Sequence, residues 1–201
     1  LADCNAAIQL KPNLAYALRQ RALVELDFKA LDDALKDANK AVELAPNEPF
    51  SLTARCQIYL AAKRYDTAIA DCTSAIAVND RYYTPHFFRG RAEVETKRWS
   101  AAIADFSAVL EHDPDEAGAY YWRAVARAGS AQYAPALNDV DRYLQARSDD
   151  ADGYLLRARI EVAMGNRKDA QADATDALRH YRIDNDETGA AEAQAVLDGL
   201  R

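Results

Sequence analysis

Two series of oppositely charged residues are the feature of this sequence most able to do chemistry. Both recur at intervals of 34 residues, one with arginine and the other with aspartate. The arginines are Arg21, Arg55, Arg89, Arg123 and Arg157, and the aspartates are Asp3, Asp37, Asp71, Asp105, Asp139 and Asp173. A planar guanidinium can bind a carboxylate through two parallel hydrogen bonds, so the two series predict a ladder of ion pairs.

The role of this salt-bridge ladder and the identity of each pair are open at this level. We favour a structural ladder that fixes the packing of neighbouring elements, and a charged binding face is the alternative. The spacing allows each arginine to pair with the aspartate that follows it or with the one that precedes it. Asp3 is the informative case, because Arg21 is the only arginine of the series available to it.

The other residue types that commonly carry chemistry lack the spacing that the chemistry needs. His112 and His180 lie 68 residues apart, and the sequence has no His-x-x-x-His or Cys-x-x-Cys pair. It also has no glycine-rich phosphate loop and no Gly-x-Ser-x-Gly nucleophile motif. We therefore predict no catalytic residue, no metal site and no cofactor, and we expect that the chain is not an enzyme.

The composition narrows the classes of partner. Of the 201 residues, 25 are Lys or Arg and 32 are Asp or Glu, which gives a net charge of -7. No run of Lys and Arg is present, so we expect no nucleic-acid partner. No long apolar window is present either, so we expect no membrane insertion. The chain opens at Leu1 within what reads as a helix, so its terminus predicts no compartment and the localisation stays unknown.

Repeated helices are the elements that must position the charged residues. The 34-residue interval also separates members of a proline series and an alanine series. These are Pro12, Pro46 and Pro114, and Ala34, Ala68, Ala102, Ala136 and Ala170. Segments 65–71, 99–105 and 133–139 are variants of one motif. Together these features resemble the tetratricopeptide repeat (TPR) family, which implies an all-α, right-handed α-solenoid of antiparallel helix-turn-helix repeats.

The repeat interval predicts the layout of one solenoid domain over 1–201. Residues 1–14 supply the second helix of a partial repeat. Five full repeats follow at 15–48, 49–82, 83–116, 117–150 and 151–184. A C-terminal capping helix is expected within 185–201, with its N-cap at Asp184 or Asn185.

The resemblance implies a function as a non-catalytic scaffold or adaptor that binds a peptide or partner segment. In the family, the first helix of each repeat lines the concave face and presents the binding residues. Carried onto this chain, the partner-binding residues are Tyr16, Arg19, Phe50, Gln57, Phe87, Arg91, Tyr121 and Arg159. Phe87 and Tyr121 are the aromatic residues that we expect to face the groove most directly.

The chemistry of the expected ligand follows from what the groove positions hold. The family's carboxylate clamp needs Lys and Asn at positions where this chain has residues such as Thr53 and Gln57. We therefore expect a partly hydrophobic peptide with one or two acidic groups, which Arg19, Arg91 or Arg159 would meet. The alternative is a structural module that self-associates, for example as a homodimer, or packs on another part of the same protein.

The cysteines also occupy equivalent positions in the repeats. Cys4 and Cys72 share one position of the second helix, and Cys56 takes a small-residue position of a first helix. We interpret all three as small buried hydrophobic residues. A Cys56–Cys72 disulfide in an oxidising compartment is the alternative, because both residues fall in one repeat.

Overall fold

The computed structural model describes residues 1–201 as twelve α-helices with no β-strand. The helices are α1 (Ala2–Leu10), α2 (Ala15–Asp27), α3 (Leu31–Leu44), α4 (Pro49–Ala61), α5 (Tyr65–Val78), α6 (Thr84–Glu95), α7 (Trp99–His112), α8 (Ala117–Gly129), α9 (Tyr133–Ala146), α10 (Ala151–Met164), α11 (Arg167–Ile183) and α12 (Glu187–Gly199). The all-α class with paired helices is thereby confirmed. No helix combines the length and the apolar character needed to cross a membrane.

The chain forms two compact units, Leu1–His112 and Asp113–Arg201. The first contains α1 to α7 and the second contains α8 to α12, so the boundary follows α7 and falls four residues before the end of the expected repeat 83–116. Within the units, α2 packs on α3, α4 on α5, α6 on α7, α8 on α9 and α10 on α11. Each of these pairs is therefore a helical hairpin with a short connection.

One residue in the left-handed backbone region reverses the chain within every hairpin. These residues also keep the 34-residue interval, at Lys29, Lys63, Lys97, Ala131 and Gly165. Their φ angles are 59°, 57°, 59°, 60° and 83° in that order. Glycine adopts this region without steric cost, whereas a side chain is disfavoured there. Only the last hairpin has glycine at this position, so the other four hold a mildly unfavourable conformation.

Small residues let the two helices of each hairpin approach closely. Ala22, Cys56, Gly90, Ala124 and Ala158 are all buried on the first helices. The residue sixteen positions later lies opposite each of them on the second helix and fills the space that the small side chain leaves. Gly90 shows this most clearly, because a Cβ added there would lie 2.9 Å from Cζ of Phe106, a fully buried ring. Glycine at 90 is therefore required by the size of its neighbour.

The last helix covers the end of the second unit. Asp186 is its N-cap and accepts a hydrogen bond from the backbone N–H of Gly189 at 3.0 Å. The expected cap at Asp184 or Asn185 is wrong by one residue or more, because Asn185 adopts a left-handed conformation (φ 57°) in the turn that precedes the helix. Gly189 lies directly against the ring of Tyr181, and Ala193 is fully buried.

Candidate functional site

The arginine and aspartate series meet within each hairpin. Every arginine donates from Nε and Nη2 to both carboxylate oxygens of the aspartate sixteen residues later. The pairs are Arg21–Asp37, Arg55–Asp71, Arg89–Asp105, Arg123–Asp139 and Arg157–Asp173. In the last four, the donor–acceptor distances run from 2.6 to 2.9 Å. This is the bidentate geometry that a guanidinium favours.

Most ladder arginines also reach back to the second helix of the preceding hairpin. The remaining nitrogen, Nη1, donates to an acceptor sixteen residues earlier: Asn5 from Arg21, Asn39 from Arg55, Thr73 from Arg89 and Asp141 from Arg157. Each of these guanidiniums therefore joins three helices. The sequence carries a signal for this contact, because each second helix has a short polar residue at the same position.

Asp3 does not belong to the ladder. Arg21 pairs with Asp37 and contacts Asn5 of α1, whereas Asp3 is exposed. The sixteen-residue spacing explains this result, because the position that would pair with Asp3 falls before Leu1. The aspartates of the five hairpins are buried, and Asp105 illustrates their electrostatics. Burial acts to raise its pKa, but hydrogen bonds from Arg89 and His86 hold the pKa of Asp105 below its ordinary value.

A second ionisable position lies beside the ladder on the first helices. It holds Glu25, Glu93, Arg127 and Glu161 in four of the five hairpins. Arg127 donates from Nη1 to Oδ2 of Asp139 at 2.7 Å. In the other three hairpins, Oε2 of the glutamate is buried without a hydrogen-bond partner. Burial and the neighbouring aspartate raise the pKa of Glu93 to about 7 and that of Glu161 to about 7.

Cys56 and Cys72 form a disulfide, so the interpretation of both as free hydrophobic residues is wrong. Their separation is sixteen residues, the same as that of the Arg55–Asp71 pair one position earlier. Small side chains at this close approach bring the two sulfur atoms together inside the hairpin, where both residues are fully buried. Cys4 is a free cysteine in α1.

A cavity of about 460 Å³ lies in the first unit and contains two of the expected partner-binding residues. Gln57 of α4 and Arg91 of α6 line it together with Leu26, Leu60, Phe88 and Glu95. Tyr65 also lines it and donates from its hydroxyl to Oε2 of Glu95 at 3.2 Å. We call this cavity the α2–α4–α6 groove. Its wall combines apolar side chains with groups that donate hydrogen bonds and groups that accept them.

Arg19, Tyr16 and Phe50 form a separate cluster in the same unit. Nη1 of Arg19 donates to both carboxylate oxygens of Glu48 at 3.0 Å. The guanidinium also lies 5.1 Å from the centre of the Tyr16 ring and 5.4 Å from that of Phe50. Tyr16 is 61% exposed and Phe50 is 47% exposed. The arginine is thus engaged within the chain, while the two rings present surface to solvent.

Phe87 and Tyr121 lie against other rings of the protein. Phe87 packs edge-on against Phe88 and Phe106, with ring centres 5.8 and 5.9 Å apart. It is Phe88, its neighbour in sequence, that lines the α2–α4–α6 groove. Tyr121 of the second unit lies 5.0 Å from the ring of Tyr143, and burial together with nearby aspartates raises its pKa to about 12. Spacing within one helix could not distinguish the adjacent rings of Phe87 and Phe88, because tertiary neighbours decide which of the two lines the cavity.

Arg159 lies in the second unit, at the contact between α10 and α12. It is exposed and donates to Oε2 of Glu192 at 2.7 Å. A recess of about 200 Å³ beside it is lined by Val162, Val196 and Leu200. Like Arg19, Arg159 already forms an ion pair with a glutamate of its own chain.

Known proteins match this chain in structure but not in sequence. No protein-family model and no curated protein sequence matches the chain. Solved structures do match: MamA from Desulfovibrio magneticus RS-1 has a TM-score of 0.76 at 16% identity and covers 84% of this chain and 96% of its own. YrrB, described as a TPR protein with an unusual peptide-binding site, has a TM-score of 0.73 at 17% identity and covers 96% of this chain and 97% of its own.

A third similar structure is a tetratricopeptide repeat protein from Parabacteroides merdae. Its TM-score is 0.72 at 16% identity, and the match covers 98% of this chain and 84% of that one. Identities this low speak to the fold alone. Together with the paired helices and the 34-residue interval, these likenesses show that the chain has the tetratricopeptide repeat fold.

Proposed function

We propose that the protein is a non-catalytic interaction scaffold that binds a peptide segment of a partner in the α2–α4–α6 groove. The single observation that carries this proposal is the composition of the groove wall. Leu26, Leu60 and Phe88 offer apolar surface, and Gln57 and Arg91 stand beside them. A solved structure of the same fold, YrrB, is described as having a peptide-binding site, which supports the same class of function.

The groove favours a segment of mixed polarity. The amide of Gln57 can both donate to and accept from a peptide backbone, which presents both kinds of group. Acidic and basic residues line the same cavity, since Asp27 and Glu95 accompany Lys63 and Arg91. An isolated negative terminus, with no apolar side chain beside it, would leave the apolar part of this wall without a partner. A segment with one apolar anchor and a single acidic group fits the wall better, with Arg91 as the cation.

Blocking the groove with a large side chain tests this proposal. Peptides selected from a random library on the native protein provide the probe, and Ala61→Trp would fill the cavity from the end of α4. We expect these peptides to bind Ala61→Trp at least tenfold more weakly than the native chain, since the apolar anchor loses its place.

Ala163→Trp is the matched control for this experiment. Ala163 is exposed at the equivalent position of α10 in the second unit, so it receives the same substitution away from the groove. Peptides should bind it as they bind the native protein. Equal affinity for the native protein and Ala61→Trp would exclude the groove as the binding site.

Self-association is the second candidate, and the exposed rings of Tyr16 and Phe50 favour it. Exposed aromatic side chains beside an arginine are typical anchors of interfaces. If the cluster joins two copies, sedimentation should show a dimer that Phe50→Asp dissociates by adding charge to the interface. A chain that remains monomeric up to high concentration would exclude this candidate and leave the groove proposal unaffected.

A further inference from the structure

An acidic recess in the second unit lies apart from the groove just described. It has a volume of about 340 Å³ and is enclosed by α9, α10 and α11. Its charged lining consists of Asp141, Arg157, Glu161, Asp169 and Asp173. Four carboxyl groups therefore face one guanidinium.

The guanidinium of Arg157 does not donate hydrogen bonds to all four carboxyl groups. Its Nε and Nη2 atoms donate to the two oxygens of Asp173, each at 2.7 Å. Its Nη1 atom donates to Asp141, also at 2.7 Å. All three nitrogen atoms are thus engaged with aspartates, and Glu161 receives no hydrogen bond from this arginine.

Glu161 is a buried acceptor without a donor. The residue is only 9% exposed, and its Oε2 atom is covered and has no hydrogen-bond partner. Burial is the main cause of its raised pKa, followed by the negative charges of Asp173 and Asp169. A hydrogen bond between Glu161 and Asp173 raises the pKa further, because protonated Glu161 can donate to that aspartate. When Glu161 is ionised, its buried Oε2 atom has no donor within the chain, so the ionised form needs a donor from outside.

The equivalent place in the preceding hairpin shows which group satisfies this arrangement. Arg127 stands 34 residues before Glu161, and its guanidinium donates from Nη1 to Asp139, the counterpart of Asp173. Asp139 then has two arginine partners, Arg123 and Arg127. In that hairpin the protein itself supplies a second cation beside the ladder, and in the last hairpin it does not.

We propose that the recess between α9, α10 and α11 binds a lysine or arginine side chain of a partner segment, with Glu161 and Asp169 as its acceptors. The ammonium or guanidinium group would take the place that Arg127 fills in the preceding hairpin. A metal ion is not the expected occupant, because no group of three or more His, Cys, Asp or Glu residues is arranged to hold one. An organic cation needs fewer ligands and can donate to the carboxyl groups of Glu161 and Asp169, which line the recess.

The recess lies on a different side of α10 from the residues expected to bind a peptide. Successive helical residues are about 100° apart, so Arg157 and Glu161 are each about 200° from Arg159. Arg159 contacts Glu192 of α12 on its own side. The recess and the surface that carries Arg159 can therefore be tested independently, and a negative result for one does not affect the proposal for the other.

Binding of a short blocked peptide tests the proposal directly. The probe is Ala-Lys-Ala with both ends blocked, and the same peptide with norleucine in place of lysine is its uncharged control. We expect the lysine peptide to bind and to lower the pKa of Glu161, followed by carbon NMR of its carboxyl group, by one unit or more. The affinity should accordingly rise about tenfold between pH 5.5 and pH 8, because cation and proton compete.

Two variants of Glu161 and a control variant in the first unit complete the experiment. Glu161→Arg should mimic Arg127 and abolish binding, and Glu161→Gln should abolish it without adding a long side chain. Glu111→Gln changes an exposed acid in the first unit and should bind normally. Circular dichroism checks that each variant folds. If Glu161→Arg does not fold, binding of the lysine peptide to Glu161→Gln decides whether Glu161 is an acceptor for the cation.

Three results would overturn the proposal. One is equal binding of the lysine and norleucine peptides, and another is binding that survives Glu161→Gln. The third is binding of free butylammonium without binding of the lysine peptide, which would exclude a partner side chain as the source of the cation.

Discussion

At the scale of single residues, each ladder aspartate concentrates several interactions on one buried carboxylate. Asp105 accepts two hydrogen bonds from Arg89 and lies 2.8 Å from Nδ1 of His86. The existence of the series could be predicted from the sequence, because both charges recur at every repeat. The participation of His86 could not, because no other hairpin has a histidine at that position.

Asp105→Ala should destabilise the fold by about 3–5 kcal/mol, because it strands the charge of Arg89 in a largely buried site. Asp66→Ala is the control, since Asp66 pairs with Arg98 but its side chain is 80% exposed. That change should cost no more than about 1 kcal/mol. Urea unfolding of both variants measures the difference. A loss for Asp105→Ala as small as that of the control would show that the ladder contributes little.

The glutamates beside the ladder should make stability depend on pH. Glu93 and Glu161 have pKa values of about 7 in the folded chain, against an ordinary value of 4.5. The folded state therefore binds protons more tightly, and its stability should be greatest below pH 4.5 as far as these groups are concerned. It should fall as the pH rises from 4.5 to about 7.

Urea unfolding at several pH values follows this decline. The lowered pKa of Asp105 acts only at more acidic pH and does not oppose this decline. Replacing both glutamates by glutamine should flatten the profile between pH 4.5 and 7. A native profile that is flat or rises across this window would contradict the assigned protonation states.

At the scale of elements, the 34-residue interval predicts the helix pairs well because their bounds follow local signals. The left-handed residue between the paired helices was not predicted, since lysine at 29, 63 and 97 gives no hint of it. The disulfide was left open for a similar reason. Only the packed hairpin shows that Cys56 and Cys72 approach each other.

Ala131→Gly should stabilise the protein by about 0.5–1 kcal/mol, because it relieves a left-handed alanine at φ 60°. Ala172→Gly is the matched control in the middle of α11, where glycine should cost about 1 kcal/mol. Thermal unfolding of both variants distinguishes the effects. Destabilisation by Ala131→Gly would contradict the account of these turns.

Reduction of the Cys56–Cys72 disulfide should lower the stability of the first unit. A disulfide that closes a loop of this length is worth about 3 kcal/mol. Chemical unfolding with and without reductant measures the effect. A Cys56→Ala/Cys72→Ala variant should unfold at the same denaturant concentration in both conditions. Identical unfolding of the native chain in both conditions would contradict a stabilising crosslink.

At the scale of the whole molecule, repetition predicts the fold, whereas it does not predict which residues line a given cavity. Helix positions alone indicated Phe87 and Tyr121, which stay predicted groove residues, and the structure adds that each lies against other rings. Gln57, Arg91 and Phe88 line the α2–α4–α6 groove. Which residues line a cavity depends on side chains that differ from repeat to repeat, such as Phe88, and the 34-residue interval does not specify these.

Mapping a bound peptide on the chain tests the central claim most directly. A peptide selected on the native protein would be titrated into isotope-labelled chain, and backbone amide shifts recorded by NMR. We predict that the shifts concentrate in α2, α4 and α6 around Gln57, Phe88 and Arg91. Shifts confined to α11 and α12, with none in the first unit, would contradict the claim that the groove binds the partner.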